Sequence, residues 1–132
     1  MTIEEVLDLL DVQAWTARPD GALDFVNTYT ARYFGMTRER LIGEGWQNVL
    51  HGSDVPIAVE RWTHAVKTGE PYEVEFRLLQ ASDRTYRWHR ASARRVATPD
   101  GDRWVGTNVD IDGEKRRAEV LAAWREQASS RK

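Results

Sequence analysis

With 132 residues, 41% of them hydrophobic and 30% charged, the chain can bury one core but not two, and its composition is neither that of a disordered segment nor that of a membrane protein. A net charge of -2, with both signs mixed along the sequence, offers no general attraction for nucleic acid. The chain has no cysteine, which excludes disulfides, thiolate metal sites, thiol nucleophiles and photochemistry through a cysteinyl adduct.

No apolar run reaches the roughly 18 residues of a spanning helix, and the N-terminus lacks a basic-then-apolar signal pattern, so the cytoplasm is the expected compartment. Thr2-Ile3-Glu4-Glu5 reads as a capping box and predicts a helix over 1–11. Its Ile3, Val6, Leu7 and Leu10 recur at helical spacing, an apolar face to be covered by the domain or by another chain. Two short strands follow, over 13–17 and 23–27, joined by Pro19-Asp20-Gly21, where proline fixes one φ and glycine permits a positive one. Asn27 or Thr28 can cap the next helix, which carries Tyr29, Tyr33 and Phe34 and ends at Gly35. Thr37 opens another turn or two, over 38–42, closed by Gly43.

Residues 44–53 hold too many glycines for a long helix and too many apolar residues for a solvated loop, so a short helical turn with Trp46, Val49 and Leu50 inward is expected. Asp54 is a natural N-cap and Pro56 is tolerated in the first turn of a helix over 55–67. That helix is expected to bury Val59, Trp62 and Val66 and to stop at Thr68-Gly69. In 71–80, Tyr72, Val74, Phe76 and Leu78 alternate with charged residues, the pattern of a half-buried strand. The strand over 86–98 places Trp88, Arg90, Ser92 and Arg94 on one face and His89, Ala91, Ala93 and Arg95 on the other, and periodicity leaves open which is inward. A second Pro-Asp-Gly, at 99–101, leads to a last strand with Val105, Thr107, Val109 and Ile111 on one side. It ends at Asp110-Ile111-Asp112 and hands over to a charged helical tail, 113–132, with a partial stripe of Ala118, Leu121 and Trp124. Hairpins at both ends and helices clustered between them give an α+β fold: a five-stranded antiparallel sheet with short helices on one face, flanked by terminal amphipathic helices.

That order resembles the PAS domain, of the bacterial sensory type found in sensor histidine kinases, over roughly residues 12–119. The resemblance is carried by PDGALDFVN, TYTARYFGMTRERLIG, LHGSD, the pair YEVEFRLL and TYRWHRASARRV, and PDGDRWVGTNVDID. It implies a domain of 12–112 that encloses a small pocket and passes a signal through the helix of 113–132. Asp110-Ile111-Asp112 would match the family's Asp-Ile-Thr element, which couples sheet to outgoing helix, with Asp112 standing where threonine is usual. The expected pocket lining is Trp46, Trp62, Tyr33 and Val66 from the helical segments and Phe25, Val74, Phe76 and Val105 from the strands.

The function so implied is that of a sensory module, the input of a histidine kinase, a cyclase or a similar protein, working as a homodimer and binding a small-molecule ligand or a partner. No cofactor is assigned. Other readings stand beside it. His64, on the long helix, is the residue through which a haem-binding gas or redox sensor would work. A ligand-free dimerisation module needs no pocket at all. A small α+β enzyme of the steroid isomerase type would begin with long helices, and here a strand hairpin comes first. No catalytic triad, metal-ligand spacing or phosphate loop is legible, and Asp110 with Asp112 reads as a capping device. The strand tryptophans Trp15, Trp88 and Trp104 would form a docking stripe if the helix-free face were exposed.

Overall fold

The computed structural model describes residues 1–130 and runs α1 (Ile3–Leu7), β1 (Gln13–Ala17), β2 (Leu23–Val26), α2 (Thr28–Phe34), α3 (Arg38–Leu41), two 3₁₀ turns (Gly45–Val49 and Gly52–Asp54), α4 (Val55–Thr68), β3 (Tyr72–Gln80), β4 (Thr85–Thr98), β5 (Gly101–Asp110) and α5 (Asp112–Ser130). Residues 131 and 132, the end of the tail helix expected over 113–132, lie outside the described residues. The sheet is antiparallel throughout, in the order β2-β1-β5-β4-β3, so the first and last strands lie side by side at its centre.

Local chemistry sets the boundaries. Thr2 Oγ1 accepts the Glu5 N–H at 3.1 Å and starts α1. The helix is shorter than the 1–11 expected: the Leu7 carbonyl is taken by the Asn27 side-chain amide at 2.9 Å, and the chain turns toward β1. Asn27 also caps α2 by accepting the Thr30 N–H, and Gly35, at φ 60°, ends that helix in the left-handed conformation that costs glycine little. Leu7 and Ile3 pack on Ala14 and Phe25, covering part of the sheet face opposite the other helices.

The main core lies between the sheet and α2, α3, the 3₁₀ turns and α4. The face left open in β4 is resolved: His89, Ala91 and Ala93 point inward. In β5 the apolar side expected from Val105, Thr107 and Val109 is the outer one, and Trp104, Gly106 and Asn108 face the helices. Fully buried Trp104 decides the parity, because its ring is the largest apolar body in the strand. In α4 the buried residues are Ala58, Trp62 and Ala65, with Val59 and Val66 only half-buried, a small rotation from the expected Val59, Trp62 and Val66. Two alanines let the helix approach closely enough for Trp62 to meet Trp15, Tyr72 and Trp104 edge to face, at centroid distances of 5.5, 5.0 and 5.1 Å. The strand tryptophans therefore form no outer stripe: Trp15 and Trp104 belong to the core, and only Trp88 lies on the outer face.

Gly106 is the close approach this packing requires, since a Cβ there would collide with the Trp15 ring. Gly106→Ala is expected to destabilise the fold by about 1–3 kcal/mol, the cost of overpacking a filled core, read as a lower urea midpoint. An unchanged midpoint would mean that Trp15 is free to move aside.

Candidate functional site

Inside the core the edge-on rings leave a cavity of about 50 Å³. Its wall mixes aromatic and aliphatic side chains, among them Trp15 from β1, Trp46 from the first 3₁₀ turn, Trp62 from α4 and Phe76 from β3, and Ala91 of β4 closes one side. Thr30 and Asn108 supply polar atoms to the wall, and both are already engaged. Thr30 Oγ1 lies 2.6 Å from Asn27 Oδ1. Asn108 accepts the Trp15 indole N–H at 3.1 Å and donates to Gln13 Oε1 at 3.1 Å. The interior thus suits apolar content. Its volume equals a few water-sized spheres at ~10–15 Å³ each, far below the ~300–1,000 Å³ of drug-sized pockets. Neither a haem nor a flavin fits it.

The bonds continue beyond the wall. Gln13 Nε2 lies 3.0 Å from His89 Nε2, and His89 Nδ1 lies 2.8 Å from the Arg87 carbonyl. A carbonyl only accepts, so Nδ1 carries the proton and Nε2 receives the Gln13 amide. Burial holds the His89 pKa below its ordinary value, keeping the imidazole neutral.

Of the residues expected to line the pocket, Trp46, Trp62 and Phe76 meet at this cavity. Tyr33 packs beside it, edge-on to Phe34 and His89, and its hydroxyl is buried without a hydrogen-bond partner among the described residues. Burial pushes its pKa up to about 12. Val66 borders an outer groove instead, and Val74 sits in the core without lining the cavity. Phe25 and Val105 require correction, because strand parity places both on the opposite face of the sheet. His64 also points elsewhere: its imidazole is exposed and lies 3.4 Å from Glu70, so it cannot serve as an axial ligand in the cavity. Trp15 and Asn108 are not among the expected lining, whereas the small side chains of Ala91 and Ala93 point to a face that helices or a ligand approach closely. The signal for Trp15 and Asn108 was the inward parity of β1 and β5, which Trp104 fixes only once the strands are paired.

The second site is the junction where β5 passes into α5. Asp110 takes the Arg87 Nε–H at 2.7 Å with one oxygen and the Asp112 N–H at 2.8 Å with the other. Asp112 is buried and splits its carboxylate likewise: Oδ1 accepts the Trp88 N–H at 3.2 Å, and Oδ2 accepts Arg116 Nε–H at 2.6 Å. The Trp88 carbonyl accepts the Ile111 N–H at 2.8 Å. Burial is the largest single influence on both aspartates and opposes their charge, but the Arg87 and Arg116 side-chain bonds, the backbone N–H donors and the nearby guanidinium charges together outweigh it and hold both below the usual carboxylate value. An aspartate in place of threonine can thus bind strand and helix at once.

A family model described as the PAS fold matches residues 23–108. The uncharacterized protein y4lL of Sinorhizobium fredii is 34% identical over 109 residues, 81% of this chain, and the chain spans only 13% of that relative's length. Among solved structures, an RNA-binding Light-Oxygen-Voltage receptor aligns at TM-score 0.72 and 19% identity, over 96% of this chain and 36% of that one. A sensory box histidine kinase/response regulator from Burkholderia thailandensis E264 aligns at TM-score 0.66 and 18% identity, over 96% of both chains. No helix of the described residues is long and apolar enough to cross a membrane.

The buried neutral imidazole makes stability depend on pH. An unfolded histidine takes up a proton from about pH 6.5 downward, whereas folded His89 does so only at lower pH. In that window the unfolded state binds more protons, and stability falls as pH falls. Asp110, Arg87, Asp112 and Tyr33 are the titratable groups facing the ring. As the pH is lowered from about 6.5, the wild-type urea midpoint should therefore drop more steeply than that of His89→Gln. Parallel profiles for the two proteins would contradict the assignment.

Proposed function

This chain belongs to the PAS fold family, and from that premise we propose that it is a sensory module in which the state of the inner cavity is passed to α5 and onward to an effector. The observation that carries the reading is that a single strand serves both sites: β4 lines the cavity with Ala91 and holds the start of α5 through the Trp88 N–H. A shift of β4 by a few tenths of an ångström changes the bond to Asp112. The apolar wall favours a small apolar ligand, and anything beyond a few heavy atoms enters only by displacing an aromatic side chain. A histidine kinase is the effector we favour, on the likeness to the Burkholderia thailandensis sensory box protein.

Two copies are expected to act together. Val120, Leu121 and Trp124 form an apolar group on α5 that is 70, 45 and 64% exposed in the single chain, and a parallel partner helix would cover them.

The test is a graft of residues 1–130 onto a histidine kinase core with the helical phase of α5 kept. Ala91→Val, which fills the cavity from β4, and Asp112→Ala, which removes the two bonds made by the Asp112 carboxylate, are each expected to change autophosphorylation severalfold. Equal rates in all three proteins would make the junction a plain connector. In light scattering the unmodified chain should be a dimer at high micromolar concentration and Leu121→Glu/Trp124→Glu a monomer. An unmodified chain that is already monomeric there would refute the pairing.

A further inference from the structure

On its outer face the sheet carries a set of contacts that the junction at Asp112 does not use. Asp54, at the start of α4, accepts three bonds from Arg77 of β3: from the backbone N–H at 2.8 Å, from Nε at 3.0 Å and from Nη2 at 2.8 Å. The Arg77 guanidinium stands 5.0 Å from the centre of the Trp88 ring. Lys115, in the first turn of α5, places its ammonium 4.8 Å from the same ring. Glu75 fixes that ammonium by an ion pair at 2.6 Å and is itself paired with Arg90 at 3.3 Å.

The docking of α5 has little else to rest on. Asp112 is buried and Lys115 half-buried, and every described residue beyond Lys115 is exposed. Besides Asp112 and Lys115, α5 reaches the sheet through Glu114, which is exposed and 3.8 Å from Arg90, so the Trp88 ring carries a large share of the attachment. A cation above an indole face is attracted by the ring quadrupole, and this attraction is less easily screened than a surface ion pair.

We infer that Trp88 is a clamp for the outgoing helix, and that the series Asp54, Arg77, Trp88 and Lys115 is a second connection from α4, which walls the cavity with Trp62, to α5. The inference rests on the reading of α5 as the output, and it assigns a positioning role to four side chains that bind no ligand. Movement of the α4 start shifts Asp54, Asp54 sets the Arg77 fork, and the fork shares the ring on which Lys115 sits. Strand β5 takes no part.

Hydrogen exchange of the whole chain, followed by mass spectrometry or NMR, tests this without any effector. Lys115→Met removes the cation from an accessible position and cannot unfold the core; the amides of 115–119 should exchange roughly two- to fivefold faster. Trp88→Ala should accelerate them about tenfold, since it removes the ring under both cations. Arg77→Lys keeps the charge but loses the planar fork; it should accelerate exchange both at the start of α4 and in the first turn of α5, although Arg77 makes its hydrogen bonds and ion pair to Asp54 and none to the described residues of α5. Central amides of β4 and β5 should keep their wild-type protection, which separates undocking from unfolding, and Arg94→Ala, on the same face, should change nothing. Wild-type exchange of α5 in Lys115→Met and Trp88→Ala would overturn the clamp. An Arg77→Lys effect confined to α4 would overturn the connection. A grafted kinase that ignores Ala91→Val while the exchange pattern holds would instead refute α5 as an output and leave the clamp standing.

Discussion

Edge-to-face contact between Trp62 of α4 and the sheet rings Trp15, Tyr72 and Trp104 holds the long helix in place, and the remaining features depend on it. Each such pair contributes about 0.5–1.5 kcal/mol beyond the apolar area it buries, and three meet on one indole. Small residues make room for them: Ala58 and Ala65 on the helix, Ala91 and Ala93 on β4, and Gly106 beneath Trp15. The Trp62 indole N–H also reaches the Gly21 carbonyl at 2.9 Å, tying the first hairpin turn to the same contact. Rigid rings meeting edge-on cannot fill space completely, and the small apolar cavity is what they leave.

Around this body the chain separates rigid from detachable parts. The central strands are paired on both sides and carry a continuous run of side-chain bonds from Trp15 through Asn108 and Gln13 to His89. In contrast, α5 touches the sheet only through its first turn, and its charged contacts there are partly exposed. A helix docked in this way has a small free-energy difference between docked and released states, which suits it to follow a change in the sheet. Asp112 fits that role because a carboxylate has two oxygens: one remains on the strand while the other holds Arg116 a turn along the helix.

Much of the fold was legible where local chemistry dictates structure. The two Pro-Asp-Gly turns, the caps at Thr2 and Asn27, the left-handed Gly35 and Gly69, and the alternation of Tyr72, Val74, Phe76 and Leu78 each reflect interactions within a few residues. What was not legible is set by partners far along the chain. The inward face of β4 is decided by pairing with β3 and β5, since its own two faces are similarly mixed in polarity. The pocket positions of Phe25 and Val105 failed for the same reason, as a one-residue change of parity exchanges core for surface. Trp88 looked like one more strand tryptophan, and its place beneath Arg77 and Lys115 follows only from bringing β3, β4 and α5 together.

The central claim is that the cavity and the start of α5 form one mechanical unit. Xenon enters small dry apolar cavities without requiring a hydrogen bond, so it can perturb this one without altering the sequence. Backbone and indole N–H signals of the chain, recorded by NMR under increasing xenon pressure, follow the disturbance residue by residue. The account predicts shifts at Trp15, Trp62 and Ala91 that continue through Trp88 to Asp112 and Lys115, with the outer positions Ser92 and Arg94 unaffected. Shifts confined to the cavity lining, with Trp88 and Asp112 unmoved at saturation, would contradict it.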